Sequence, residues 1–430
     1  MIVFLTGASG FIGHRLALAL LDAGHELVCS VRTAPPAGKG LPRARYVAVD
    51  FTNALQPAVW EPHLAGVHAV INTVGLFREK GRQTFDVIHD RAPRALFAAA
   101  LQAGVPRVIQ ISALGADEHA HSRYHVSKRR ADDYLRRLPL EWTIVQPSLI
   151  YGPGGTSARF FTALASWPVI PLPAGGEALV QPVHIDDVIE ALVRLLENTD
   201  SARRTHRTTL PFVGPHALTL REYLSSLRAQ MGLGRARFSR VPLAFARAGA
   251  HMSNLLPGSL LSTESLEMLM RGNVGDPEPM RELLGHSALP AERFIPADHA
   301  HAIRADAKLQ WLLPLLRWSI AIVWIVTGIV SLGIYPVEKS YALLERAGVP
   351  QVLAPLMLYG AAGLDLVFGI AMLVLRDRRL LYLAQIAVIV LYTVIISIRL
   401  PEFWLHPYGP ILKNLPMLAA IVLLYSLERR

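Results

Sequence analysis

Short apolar runs alternate with helical patterns through the first third of the chain. Ile2–Leu5 is an apolar run of strand length. A glycine-rich turn follows, then Leu16–Leu21 reads as helix and ends at Ala23-Gly24-His25. Glu26–Val31 predicts a second strand and Tyr46–Val49 a third, closed by Asp50. Ala69–Thr73 predicts a fourth, ending at Val74-Gly75. A long helix is expected from about Phe85 to Ala103, stopped by Gly104. Val108–Ile111 predicts a fifth strand, followed by Ser112. Ser127–Leu138 predicts a helix and Thr143–Gln146 a further strand. Strands alternating with helices predict an α/β domain, a doubly wound parallel sheet of Rossmann type.

The pattern changes near residue 315. Four apolar segments follow: Trp318–Tyr335, Val352–Leu375, Leu380–Ile398 and Ile411–Leu427. A helix needs about 20 apolar residues to cross a bilayer. The first three meet this; the fourth is shorter and carries Lys413 near its start. The expected organisation is a nucleotide-binding domain over 1–300, with its substrate side mostly in 151–300. A linker is expected over 301–314, and an all-α four-helix transmembrane domain over 315–430.

Composition agrees with this division. The chain of 430 residues is 52% hydrophobic and 18% charged. Ordinary soluble domains carry about 25% charged residues. This excludes a disordered chain and a purely soluble enzyme. The single cysteine, Cys29, excludes an internal disulfide and a cysteine-rich metal site, and no metal is expected. The net charge of +10 has no dense Lys/Arg run behind it. Membrane lipids of an anionic leaflet are favoured over nucleic acid as its partner. The N-terminus lacks the basic start of a signal peptide and reads as strand, turn and helix.

The turn after the first strand is Thr6-Gly7-Ala8-Ser9-Gly10-Phe11-Ile12-Gly13. Gly7 suits a tight turn, Gly10 a close approach of backbone to a pyrophosphate, and Gly13 close packing of the helix on the sheet. The helix N-terminus adds free N–H groups and a positive dipole end. Gly7, Ser9, Gly10, Phe11, Ile12 and Gly13 are therefore cofactor-binding candidates. Thr73 and Gly75, where the fourth strand ends, join them. A glycine turn without a ligand is the alternative. An NAD site usually carries an acidic residue about 20 residues on. Here the second strand ends at Arg32, whose guanidinium suits a 2′-phosphate. NADP(H) is thus favoured over NAD(H), the alternative being a solvated Arg32 or one stacked on adenine.

Tyr124 and Lys128 stand four residues apart, on one helix face. An ammonium near a phenol favours the phenolate, which would lower the pKa of Tyr124 and suit it to acid–base work. Ser112 could hold a substrate oxygen. A surface tyrosine and lysine are the alternative, but the chain has only six lysines, so the coincidence is informative.

These residues resemble the short-chain dehydrogenase/reductase superfamily in its extended or atypical branch. The glycine loop, Asp50, Ser112, the Tyr124/Lys128 pair, Pro147–Pro153 and Pro182–Val188 follow in family order over about 1–300. Phe212-Val213-Gly214, Leu218–Glu222, Met268-Leu269 and Gly272-Asn273 look similar to the atypical group that includes a complex I subunit. The resemblance implies that Asp50 touches adenine, that Pro147 and Ile150 border the nicotinamide, and that Lys128 binds its ribose. It also implies a catalytic Asn on the helix before the fifth strand, where this chain has His89. The last four segments, with Gly409–Asn414, resemble the DoxX-like membrane family, which hints at a lipid-soluble acceptor.

Loop charges predict the orientation. Arg304, Lys308, Arg317, Arg376, Arg378, Arg379, Arg429 and Arg430 would face the cytoplasm. Lys339, Arg346, Arg399 and Lys413 would face outward. Both termini are thus expected inside, in the inner (cell) membrane. Asp365, at mid-span among Gly360, Gly363 and Gly369, is expected to face the bundle interior, protonated or paired. Two functions remain open. One is a membrane-anchored oxidoreductase acting on a small or lipid-like carbonyl or quinone-linked substrate. The other is a non-catalytic NADP(H)-binding subunit of a membrane protein complex.

Overall fold

The computed structural model describes residues 1–35, 40–197, 202, 204–253 and 262–428. Two compact units are present, Met1–Ala307 and Lys308–Arg430.

The first unit is built on a seven-stranded, all-parallel sheet. Its strands are β1 (Ile2–Thr6), β2 (Glu26–Val31), β3 (Ala44–Ala48), β4 (Ala69–Asn72), β5 (Arg107–Ile111), β6 (Glu141–Pro147) and β7 (Thr208–Phe212). They lie in the order β7-β6-β5-β4-β1-β2-β3. The order reverses between β1 and β4, and such a reversal opens a crevice at the carboxyl ends of the strands. The predicted strands are all present. The addition is β7, which pairs with β6 from Thr208↔Thr143 to Phe212↔Pro147.

Each face of the sheet is covered, so its strands are apolar on both sides. Val3, Leu5, Ile71 and Ile109 bury one face beneath α1 (Phe11–Asp22), which supplies Leu16 and Leu20. Phe4, Val70 and Val108 bury the other beneath α2 (Ala92–Gln102) and α3 (Arg123–Arg136), which supply Leu96 and Leu135. The expected helix from Phe85 opens as a π-helical turn over Asp86–Arg91. Pro93 explains it: it has no N–H to give the carbonyl of His89 four residues back, so the ladder shifts there.

In the second unit, α4 (Ala300–Ile329) enters from residues of the first unit. The stretch 301–314, expected as a linker, is helical and continuous with the first apolar segment, even across Pro314. Then come α5 (Val337–Arg346), α6 (Ala354–Val374), α7 (Arg379–Arg399) and α8 (Asn414–Leu427). Among the described residues, three helical stretches are long and apolar enough to cross a membrane: Ala300–Ile334, Gln351–Val374 and Arg379–Arg399. Helix α8, in the fourth apolar segment, has 14 residues, about 21 Å against a hydrocarbon core of about 30 Å.

Ala321, Trp324, Phe368, Met372, Tyr382 and Ile421 form the inner core of this bundle. Val352, Val374, Leu380 and Ile398 are exposed, as lipid-facing positions would be. Gly369 sits where a Cβ would lie 2.9 Å from the Ala321 carbonyl oxygen, so α4 and α6 approach backbone to backbone. Arg317 and Arg378 both bind Glu428, at 3.3 and 3.2 Å, which gathers the start of the apolar part of α4 with the start of α7 and the end of α8. At the other end Arg346 pairs with Glu402, and Arg399 donates to the Ala347 carbonyl. The helices therefore run up and down alternately. Arg429 and Arg430 lie outside the described residues. Asp365 is buried, as expected, and its Oδ1 has no protein hydrogen-bond partner.

Candidate functional site

Most candidates gather at the carboxyl edge of the sheet because they follow the end of a parallel strand; Tyr124 and Lys128 come from helix α3. Gly7 follows β1 at a φ of +73°, which a glycine adopts without strain. A Cβ on Gly13 would lie 2.1 Å from the Gly7 carbonyl oxygen, so turn and helix can meet only through glycine. Gly10 differs. Its Cβ would meet only the Gly7 carbonyl oxygen, at 3.1 Å, and its other surroundings are open. Gly10 caps α1 with no side chain bonded to the first helical N–H groups. An open backbone surface with unclaimed N–H donors fits a pyrophosphate. Ser9 is exposed beside it. Ile12 packs on the core, and so does Phe11, whose ring a Cβ on Gly155 would meet at 2.9 Å.

Around this turn, Arg32 is exposed just beyond β2. Asp50 follows β3 and accepts from the Thr52 N–H at 2.9 Å. Thr73 donates its hydroxyl to the Thr6 carbonyl at 2.7 Å, tying β4 to β1. Pro147 ends β6, and Ile150 pairs with Val183. Gly75 leads to the second cluster: its Cβ would lie 3.2 Å from Lys128 Nζ. The nucleotide turn and the Tyr/Lys helix are thus neighbours.

Helix α3 presents Tyr124, Lys128 and Asp132 at successive i, i+4 positions, all buried. Lys128 Nζ donates to the Ile111 carbonyl at 2.9 Å and reaches the Val74 carbonyl at 3.5 Å. Burial pushes its pKa down, and Asp132 opposes that shift. Ser112, just after β5, donates its hydroxyl to Asp132 Oδ2. Burial pushes the Asp132 carboxyl up, against the pull of Ser112 and Lys128.

The surroundings of Tyr124 correct one expectation. Its ring packs against Phe85, His89 and His125, and Phe77 stacks on it at 5.5 Å. Burial raises its pKa rather than Lys128 lowering it. The physical reason is the direction of the ammonium, which points at two carbonyls and is balanced by Asp132. Tyr124 is therefore a phenol, a proton donor, as the structure stands.

His89 is completely buried. Its Nε2 accepts the Leu76 N–H at 3.0 Å, so the ring proton sits on Nδ1 and is donated to Ser127 Oγ at 3.0 Å. Ser127 in turn donates to the Tyr124 carbonyl at 2.7 Å. Burial, with Lys128 adding to it, pushes the His89 pKa down to about 2, so the ring stays neutral. Both nitrogens are engaged in holding the loop after β4 against α3.

Three features were not read from the sequence as part of the site. Asp132 continues the four-residue spacing of Tyr124 and Lys128, a signal that was present. Phe77 and Phe85 had no local signature. The helix Thr263–Arg271 brings Met268 against the Tyr124 cluster, while Arg271 grips Asp117 at 2.6 and 2.8 Å. That meeting spans about 150 residues and leaves no local trace.

Comparison with known proteins places both halves. Residues 7–166 match the NAD(P)H-binding family, and residues 321–422 match the DoxX-like family. A ceramide reductase of Caulobacter vibrioides is 32% identical over 195 residues, which cover 45% of this chain and 60% of that protein. Subunit 9 of the alpha subcomplex of mitochondrial NADH dehydrogenase (ubiquinone) of Arabidopsis thaliana is 27% identical over 275 residues. These cover 60% of this chain and 65% of the subunit. The chain thus spans less than two thirds of either relative. Among solved structures, an Escherichia coli NADPH-dependent quinone oxidoreductase complexed with NADPH superposes with a TM-score of 0.56. It is 19% identical and covers 70% of this chain and 99% of that one, a likeness of fold.

Proposed function

We propose, from the premise that this chain joins an NAD(P)H-binding domain of short-chain dehydrogenase/reductase fold to a DoxX-like domain, that it is a membrane-anchored NADP(H)-dependent oxidoreductase. The observation that carries the reading is the cluster of Tyr124, Lys128 and Ser112 beside the open glycine turn. The substrate is a lipid-like carbonyl or quinone. Tyr124 sits in a cluster with Leu76, Phe77, Phe85 and Met268, an apolar setting that suits a lipid-like molecule better than a sugar. Similarity to a ceramide reductase supports the same class.

The first helical N–H groups of α1 would hold the pyrophosphate, Arg32 the 2′-phosphate, Asp50 the adenine side, and Lys128 the nicotinamide ribose. Thr73, Gly75, Pro147 and Ile150 would border the ring end. NADPH held there would supply hydride to the substrate carbon. Tyr124 then gives its phenolic proton to the carbonyl oxygen as the C=O π bond breaks, leaving an alcohol. Lys128, whose ammonium lies against the Val74 and Ile111 carbonyls, would serve the ribose rather than the phenolate. Purified, detergent-solubilised protein tested with NADPH against long-chain carbonyls and quinones should oxidise NADPH. No turnover across that panel, with NADPH bound, would count against the enzyme.

A second reading is favoured by His89. Extended enzymes resembled here use an asparagine at that position, whereas His89 spends both nitrogens on structure. A non-catalytic NADP(H)-binding subunit of a membrane complex fits this, as does the similarity to the NADH dehydrogenase subunit.

Two expectations accompany the proposal. Arg32→Ala should erase most of a preference for NADPH over NADH, at about 1.5–3 kcal/mol for a charge-assisted contact. Titrating both cofactors checks this, and equal affinities in the unmutated protein would remove its basis. The proposed topology has four crossings, with both termini in the cytoplasm. Cys29 is buried and its thiol is pushed up to about 11, so it stays silent to maleimides. Lys339→Cys should then label from outside intact cells, and Arg376→Cys only after permeabilisation. Labelling of both from one side would overturn the alternation.

A further inference from the structure

Ser112 has one hydroxyl proton and spends it on Asp132. A serine meant to donate to a substrate carbonyl cannot do so while that proton is committed. Asp132 is fully buried, one turn beyond Lys128, and its second oxygen, Oδ1, has no protein partner. Lys128 is also buried; two carbonyls and this carboxylate face its charge, and the neutral His89 ring lies near it. Arg136 and Asp133 act on Asp132 from farther along the same helix. One side chain thus sets both the charge of the lysine and the hydrogen-bond sense of the serine.

We propose that Asp132 is the positioning residue of this site: as an anion it keeps Lys128 charged for the cofactor ribose, and as the acid it turns Ser112 into a donor toward the substrate oxygen. The inference rests on the oxidoreductase reading for Ser112, but only on cofactor binding for Lys128. In the acid form Asp132 donates to Ser112 Oγ, and the serine proton becomes free to point into the site. No group is consumed; one proton moves on and off the carboxylate. Burial favours the acid form of that carboxyl, while Ser112 and Lys128 favour the anion.

The test is the pH dependence of NADPH affinity, followed by nicotinamide fluorescence on the solubilised full chain. Affinity should fall as pH rises and Lys128 loses its proton, and Lys128→Met should remove that alkaline limb. Asp132→Asn removes the counter-charge but keeps the shape. Burial then acts on Lys128 unopposed, and the limb should move at least one pH unit lower. Ser112→Ala should leave the limb within a few tenths of a unit of the original. A limb unmoved in Asp132→Asn would overturn the proposal. If Lys128→Met binds NADPH with the unmutated profile, the placement of Lys128 on the cofactor is what fails. Should Asp132→Asn fail to fold, Asp132→Glu carries the test. It keeps the charge and should keep the limb; a limb shifted downward would overturn the proposal. Wherever a substrate turns over, Asp132→Asn should also change the pH profile of kcat near neutrality, which a merely structural carboxamide would leave alone.

Discussion

Tyr124→Phe is expected to slow the chemical step by roughly 10²–10⁴-fold, the usual worth of a positioned acid or base. The variant keeps the ring that Phe77, Phe85 and His89 pack against, so stability should hold. NADPH affinity should also hold, because the phenol oxygen is not among the groups proposed for the phosphates or ribose. Single-turnover oxidation of bound NADPH, read beside equilibrium binding, separates the two effects. Loss of binding together with rate would mean that the ring shapes the cofactor site rather than supplying a proton. A rate unchanged within a factor of two would favour the non-catalytic reading.

Gly10→Val is expected to abolish NADPH binding, by two orders of magnitude or more, while the domain still folds. Gly10 lies at φ −83° and ψ 176°, extended backbone that valine adopts readily. Its Cβ would meet one atom, so the cost to folding should stay within about 1 kcal/mol, the size of a helix-cap change. The isopropyl group would instead fill the space over the first N–H groups of α1. Gly13→Val provides the contrast, because its Cβ would overlap the Gly7 carbonyl oxygen and force the turn off the helix. That variant should lose several kcal/mol of stability along with the cofactor. Thermal unfolding with and without NADPH distinguishes them. A Gly10→Val protein stabilised by NADPH as the unmutated one is would refute the placement of the pyrophosphate. In a cell that needs this protein, the two readings of function diverge. The enzyme requires both Tyr124 and Gly10, whereas the binding subunit requires Gly10 alone.

Much of this molecule is readable from local pattern. A buried parallel strand is a short apolar run, and an α/β unit repeats it with a helical pattern between, so the six strands to Pro147 stand where the runs are. The glycine turn is legible because its three glycines answer constraints only a few residues away, as the Gly7–Gly13 contact shows. The apolar segments are legible because a lipid-facing helix must be apolar along its length. The helix through 301–314 was missed because its polar first turns carry no such signature, although they run directly into the apolar span.

What only the tertiary structure decided depends on groups far apart in the chain. Strand β7 was not visible, since Thr208–Phe212 becomes a strand by pairing with β6 some 65 residues earlier. The i, i+4 spacing put Tyr124 and Lys128 on one face, but spacing does not say where an ammonium points. The carbonyls of Val74 and Ile111 draw it away, and burial by Phe77, Phe85 and His89 leaves Tyr124 a phenol. Likewise Ser112 and Asp132 meet because β5 ends beside the middle of α3. Periodicity follows from the geometry of one element, whereas the protonation and hydrogen-bond sense of a site follow from desolvation and direction. Those are properties of the space between elements, and they exist only once the chain has packed.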